Sequence, residues 1–342
     1  MSDVDSRAAE TLLEPILTIH DRIREVVVDA CGRQALEQLA AVVADEPADG
    51  DTIYAIDRIG EEIFVGGLES VAHREPICLM GEGLPDNSLV LPQGARESDC
   101  RWRILVDPID GTRGLMYQKR SAWILTGVAP NRGPETRLRD IELAIQTEIP
   151  LLKQHLSDQL WAFRGHGVEA RRFNRVSASW DHLTLQPSRA TGLDHGFATV
   201  VRFFPGARDV LAAIDDEMVE ALVPPRPGRA RCFEDQYAST GGELYELIAG
   251  HDRLIADIRP LMESVRADRS LPRGLCCHPY DLCTALIAEE SGVIVTDAGG
   301  APVDAPFDVL ADVAWIGYAN ARVRGAAEPV LQAALKRRGL LR

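Results

Sequence analysis

Apolar and polar positions alternate along this chain of 342 residues with two different periods, and the switches between them mark out its elements. Leu12, Leu13, Ile16, Leu17, Ile23, Val26 and Val27 recur at helical spacing, followed by Leu36, Leu39 and Val43. Residues 6–44 are therefore expected to form one long helix, or two broken near Gly32. A polar stretch from Glu46 to Asp51 reads as a turn, and a second helical run follows from Ile59 to Leu68. The pattern then shortens, and residues 76–82, 104–106, 121–129, 141–149 and 160–163 read as strands. Gly165 and Gly167 mark a turn, with a basic pair, Arg171 and Arg172, beyond it. Further on, residues 197–204 predict a strand, and residues 210–222 a helix with Ile214, Met218 and Leu222 on one face. The basic, proline-rich stretch 224–231 is a loop, either a solvated connector or a substrate-selecting element. Residues 237–250 read as helix, 253–257 as strand, 282–291 as helix and 314–318 as strand, and a closing helix starts at Asn320.

The chemistry concentrates where the run Ile104-Leu105-Val106 meets Asp107-Pro-Ile-Asp110-Gly-Thr112. A short apolar run rich in β-branched residues suits a strand buried on both faces. It is expected to stop at Asp107, because Pro108 has no N–H to continue a ladder. Gly111 permits a turn that a Cβ would resist. Asp107, Asp110 and Thr112 would then be presented from one tight loop. Two carboxylates about 4 Å apart repel by roughly 4 kcal/mol at an effective dielectric of 20. A cation would convert that cost into a site, and oxygen-only ligands suit Mg²⁺. Taken alone, Asp-Pro and Asp-Gly are ordinary turn formers.

The whole run is more specific. Asp107-Pro-Ile-Asp-Gly-Thr112 behind an apolar strand resembles the signature of the inositol monophosphatase superfamily, which includes fructose bisphosphatases and 3′-phosphoadenosine phosphatases. Gly81-Glu82-Gly83 resembles that superfamily's first glutamate motif, usually Gly-Glu-Glu, with the second acid lost. Asp51 and Asp57 match its Asp-x₅-Asp segment, with Tyr54 in place of a threonine and no lysine in the loop. The stretch 237–250 is an imperfect copy of its glycine-rich helix. His278-Pro-Tyr-Asp281, followed by Gly299 and Gly300, resembles its second signature, with Tyr280 replacing a tryptophan. The likeness spans about Asp51 to Asn320 and is weakest over residues 175–235.

The resemblance implies an α/β (α+β) fold, a layered α/β/α/β/α sandwich. Its N-terminal lobe would span residues 1–190 and carry most metal ligands; its C-terminal lobe would span 191–342. It further implies a phosphomonoesterase using two or three Mg²⁺ ions. The metal ligands would be Glu82, Asp107, the carbonyl of Ile109, Asp110 and Asp281. Asp57 and Thr112 would form the catalytic pair that orients the attacking water. Gly111, Thr112 and Asp257 would meet substrate, Asp257 by accepting hydrogen bonds from a polyol's hydroxyls. Within the class, a sugar bisphosphatase, a 3′-phosphonucleotide phosphatase or a histidinol-phosphatase-like enzyme would keep the same acids. A non-catalytic metal- or phosphate-binding protein on this scaffold is the remaining alternative, supported by the altered Gly81-Glu82-Gly83.

Composition narrows the partners. With 37 basic and 52 acidic residues the formal charge is −15, which argues against coating a nucleic acid polymer or an anionic membrane. Nothing approaches the roughly 20 apolar residues that span a bilayer, and the acidic N-terminus lacks the order of a signal peptide. Seven scattered cysteines fit reduced thiols and a cytoplasmic protein. Cys276, Cys277, His278 and Cys283 cluster in sequence but lack the paired spacing of a zinc site, and read as buried thiols. The expected partner is a small phosphorylated substrate, and the resemblance admits a homodimer.

Overall fold

The computed structural model describes residues 3–45 and 52–341. Its first half runs α1 (Asp3–Arg33), α2 (Leu36–Leu39), β1 (Val42–Asp45), β2 (Thr52–Tyr54), α3 (Ala55–Ala72), β3 (Ile77–Gly81), β4 (Ser88–Leu91), β5 (Trp102–Asp110), α4 (Thr112–Met116), β6 (Ala122–Pro130), β7 (Leu143–Ile149), β8 (Leu156–Phe163), β9 (Val168–Asn174) and β10 (Ser179–His182). The second half runs β11 (Gly196–Val200), α5 (Arg208–Leu222), β12 (Cys232–Phe233), α6 (Thr240–Ile248), β13 (Asp252–Asp257), α7 (Glu263–Asp268), α8 (Ala285–Ser291), β14 (Ile294–Thr296), β15 (Trp315–Tyr318) and α9 (Ala321–Arg337).

Two mixed sheets organise these elements. One has the order β10-β9-β8-β7-β6-β5-β3-β4, the other β12-β11-β13-β15-β14. Successive side chains of a strand face opposite sides, and the cores follow that rule. Ile104, Val106 and Ile124 pack with Ile16 and Ile23 of α1 and Phe64 and Leu68 of α3. Leu105 and Leu125, on the opposite face, join Leu244 and Leu247 of α6, Leu286 and Ile287 of α8, and Ile255 and Trp315 of the second sheet. Leu254, Ala256 and Ile316 turn the other way, onto Leu211 and Ile214 of α5 and Val323 and Leu331 of α9. The layers are thus α1/α3, sheet, α6/α8, sheet, α5/α9, the expected five-layer α/β/α/β/α arrangement. Each fully buried Leu or Ile contributes about 1.5–3 kcal/mol, so the uninterrupted apolar runs of the central strands fit their burial on both faces.

Two local expectations change, and a third is not reached. Val43 belongs to β1, which pairs with β2 as an antiparallel hairpin, and is not helical. Two consecutive β-branched residues, Val42 and Val43, favour a pleated surface over a helix. The polar turn from Glu46 to Asp51 lies outside the described residues. β11 ends at Val200, so residues 201–204 leave the sheet instead of extending it.

Candidate active site

β5 does not stop at Asp107. It pairs with β6 through Asp107↔Leu125 and again through Asp110↔Trp123. Pro108 and Ile109 therefore oppose the single residue Ile124, a β-bulge with one extra residue. On a regular strand, residues three apart face opposite sides. The extra residue turns Asp107 and Asp110 to the same side. Pro108 is tolerated because its missing N–H falls in the bulge.

Asp281 arrives from the other half of the chain, and ligand atoms of Asp107, Asp110 and Asp281 all lie within 4.8 Å of one another. Asp107 Oδ1 accepts the Ile109 N–H at 3.0 Å. Asp110 Oδ2 accepts the Ser239 hydroxyl at 2.8 Å and the Gly241 N–H at 2.6 Å, at the N-terminus of α6. Gly111 (φ +91°) makes this approach feasible, since a Cβ there would lie 2.9 Å from that of Ser239. The turn before α8 holds Asp281, whose Oδ2 accepts the His278 N–H at 2.6 Å.

Burial raises the carboxyl pKa of Asp107 well above the usual range, and the charges of Asp110 and Asp281 add to it. Burial likewise raises Asp281, with Asp110 contributing. Asp110 is pushed up too, again chiefly by burial, against the opposing hydrogen bonds from α6. Acids that resist ionisation side by side, with an oxygen-only donor set, fit a hard divalent cation. Glu82 stands outside the aspartate group but lines the same cleft. The parallel register Gly81↔Val106 brings it beside Asp107, and its Oε2 accepts the Tyr280 hydroxyl at 3.1 Å.

Asp57 lies in the first turn of α3 and serves two neighbours at once. One oxygen accepts the Tyr54 N–H at 2.8 Å, capping the helix; the other accepts the Thr112 hydroxyl at 2.7 Å. Burial pushes its pKa up to about 7, against those two hydrogen bonds. Thr112 Oγ1 is also 2.6 Å from the Ile109 carbonyl, which is thereby drawn into the same network. Asp51, the first acid of the Asp-x₅-Asp segment, lies outside the described residues.

Neither a protein-family model nor a curated protein matches this sequence. Solved structures do match in shape. The fructose-1,6-bisphosphatase of Leishmania major aligns over 95% of this chain and 93% of its own, at 14% identity and a TM-score of 0.68. The extragenic suppressor protein SuhB of Bartonella henselae covers 94% and 98%, at 16% identity and 0.63. The IMPase of Thermotoga maritima covers 95% and 98%, at 15% identity and 0.60. The chain has the inositol monophosphatase superfamily fold.

Within this fold, one expected site residue is not brought to the cleft. Asp257 is fully buried and absent from its lining. Arg259 takes both of its oxygens, Nε donating at 2.8 Å and Nη2 at 2.5 Å. A buried carboxylate needs such a partner, and the strand-end acid is spent on it. Arg259 itself lines the cleft with Phe203, Phe204 and Arg113. The Arg259 guanidinium lies 4.5 Å from the Phe203 ring centre, and Arg113 lies 5.5 Å from that of Phe204. Sequence reasoning passed over these residues, although Arg113 directly follows the Asp-Gly-Thr turn. Phe203 and Phe204 were hidden inside an expected strand.

The lost second acid also has a structural answer. Gly83 (φ +81°) leaves room for the carboxylate of Glu61 from α3, which a Cβ at Gly83 would overlap. Arg58 Nη1 donates to both Glu61 Oε2 (2.8 Å) and the Gly83 carbonyl (3.0 Å). Glu61 lines the cleft. The loop 224–231 contributes no lining residue, and its Arg231 pairs with Asp194, as a connector would. All seven cysteines are free thiols, and among the described residues Cys276, Cys277, Cys283 and His278 form no metal-holding group.

Proposed function

We propose that this protein is a Mg²⁺-dependent phosphomonoesterase that hydrolyses a small phosphorylated polyol or sugar. The observation that carries the proposal is the convergence, in one cleft, of the Asp107–Asp110–Asp281 group with the Asp57–Thr112 pair. Asp107, Asp110 and Asp281 would hold Mg²⁺, with Glu82 and the Ile109 carbonyl as further ligands, for two or three ions in all. When bound, Mg²⁺ supplies charge that favours a phosphoryl group in transfer and eases deprotonation of water. Uncatalysed phosphate-monoester hydrolysis is among the slowest reactions, needing acceleration of up to about 10²¹. Positioned charge is the economical way to provide it.

The chain's own residues handle the proton. Thr112 has one hydroxyl proton, and an ionised Asp57 draws it to Oδ1. A lone pair on Thr112 Oγ1 is then left to accept from a water in the cleft. Burial raises the Asp57 carboxyl while the Tyr54 N–H and the Thr112 hydroxyl favour its charged form, which keeps it aimed at Thr112. The aspartate at 110 is held by α6 and the one at 107 by the bulge, so neither has to reorganise when substrate arrives.

A second reading within the class is a bisphosphorylated substrate, such as a sugar bisphosphate or a 3′-phosphonucleotide. Arg113 in the cleft lining favours it, since guanidinium groups suit phosphate. The Glu61 carboxylate beside Gly83 places an acid near Glu82 in the cleft lining, which counts against the non-catalytic alternative. Free cysteines fit a reducing compartment such as the cytoplasm, and no helix among the described residues is long and apolar enough to cross a membrane.

The test is phosphate release with and without Mg²⁺ from inositol phosphates, fructose 1,6-bisphosphate, 3′-phosphoadenosine 5′-phosphate and histidinol phosphate. Metal-dependent release from at least one is expected, and the preferred compound chooses between the two readings. Mg²⁺ binding without release from any of them would overturn the enzymatic proposal.

A further inference from the structure

The turn 278–281 carries more than Asp281. Tyr280, the residue before it, is 5% exposed and donates its hydroxyl to Glu82 Oε2 across the cleft. These two residues are 198 positions apart in sequence, so tertiary packing alone brings them together. The Tyr280 ring stacks on His278 at 5.6 Å and 22°. His278 is 4% exposed, and its Nδ1 lies 3.1 Å from the Ala311 carbonyl. A buried, stacked phenol has little rotational freedom, so its hydroxyl is a fixed point. Glu82, by contrast, follows the end of β3 and lies outside the tight aspartate group.

We infer that Tyr280 is a positioning residue for Glu82: its hydroxyl orients that carboxylate toward the cation held by Asp107, Asp110 and Asp281. One turn would thereby set two acids, Asp281 directly and Glu82 through a hydrogen bond. The inference rests on reading the aspartate group as a cation site. A hydrogen bond to a ligating carboxylate fixes its orientation, and removal of such outer partners typically weakens metal binding by about 10–100-fold. A residue that merely fills space would lose nothing on replacement by phenylalanine, which keeps the ring and its stacking.

The experiment is calorimetric titration of metal-stripped protein with MgCl₂ and MnCl₂, accompanied by urea unfolding in EDTA. Tyr280→Phe is expected to bind about 10–100-fold more weakly while unfolding like the unaltered protein in EDTA. Glu82→Asp, which withdraws the carboxylate from the hydroxyl by one methylene, should show a similar loss with Tyr280 intact. Because Tyr280 acts through Glu82, the double variant Tyr280→Phe/Glu82→Gln should bind no more weakly than Glu82→Gln alone. Unchanged binding by Tyr280→Phe, or losses that multiply in the double variant, would overturn the inference. So would unchanged binding by Glu82→Gln. The underlying reading fails separately, if Asp107→Asn binds the ions as the unaltered protein does.

Discussion

Replacing Asp107 by asparagine should make the metal-free protein more stable while removing its function. Asparagine keeps the shape, and its carbonyl oxygen can still accept the Ile109 N–H that Asp107 Oδ1 accepts at 3.0 Å. What it loses is charge. Asp107 has ligand atoms within 4.8 Å of those of Asp110 and Asp281. A pair of unit charges at that distance repels by about 3.5 kcal/mol at an effective dielectric of 20. Protonation of one acid relieves part of the sum, and burial penalises the charged form as well. The expected gain is therefore about 3 kcal/mol at pH 8 in EDTA. The sign with pH follows from the raised carboxyl: the folded protein takes up its proton at higher pH than the unfolded chain does. This residue's contribution to the stability of the unaltered protein therefore rises as pH falls, and the advantage of Asp107→Asn shrinks toward zero near about pH 4. Urea unfolding in EDTA at pH 8, 6 and 4 measures it. Added Mg²⁺ should stabilise the unaltered protein and leave the variant unmoved. A variant no more stable than its parent at pH 8 in EDTA, or equally stabilised by Mg²⁺, would refute the electrostatic account of this cleft.

Three further outcomes are expected. Thr112→Val removes the hydroxyl 2.7 Å from Asp57; phosphate release should fall by about 10²–10⁴, with circular-dichroism melting showing only a modest stability change. Arg259→Met strands Asp257, which is fully buried, and should cost about 3–5 kcal/mol in urea unfolding, partly recovered by adding Asp257→Asn. His20, buried between Thr126 and Thr147 at 2.9 Å each, has its pKa lowered to about 3, by burial first and then by Arg24. The unfolded chain therefore takes up a proton below about pH 6.5 that the folded protein refuses, and this residue's contribution to stability falls as pH drops. Between pH 7 and 5 the loss from this residue is about 2 kcal/mol, and His20→Gln should show a pH dependence shallower by that amount.

The central acidic motif was legible because it carries local chemistry. Asp107-Pro-Ile-Asp-Gly-Thr112 combines a buried strand, a proline that breaks a ladder and a glycine for the turn. Glu82, Asp57 and Asp281 stood out only through the resemblance to the superfamily's motifs, since each alone reads as an ordinary turn or cap acid. The structure brings all of them to one cleft. Asp257 misled, because a strand-end acid looks the same in sequence whether it faces a ligand or a buried arginine. Arg259, two positions on, was the visible clue, since a bidentate partner needs only a short reach. Glu61 was invisible for another reason: α3 delivers it into space that Gly83 leaves empty, 22 positions away by number (83 − 61).

The sequence by itself determined the alternation of apolar periods, hence most of the elements, and its motifs carried the resemblance that implied the layering and the site acids. Those properties depend on residues close along the chain. Tertiary structure decided the rest: that β5 continues through a bulge turning Asp107 and Asp110 to one side, that α6 anchors Asp110, and that Tyr280 reaches Glu82 across the cleft. Register, burial and cross-cleft hydrogen bonds join residues far apart along the chain, and no local pattern encodes which of them will meet.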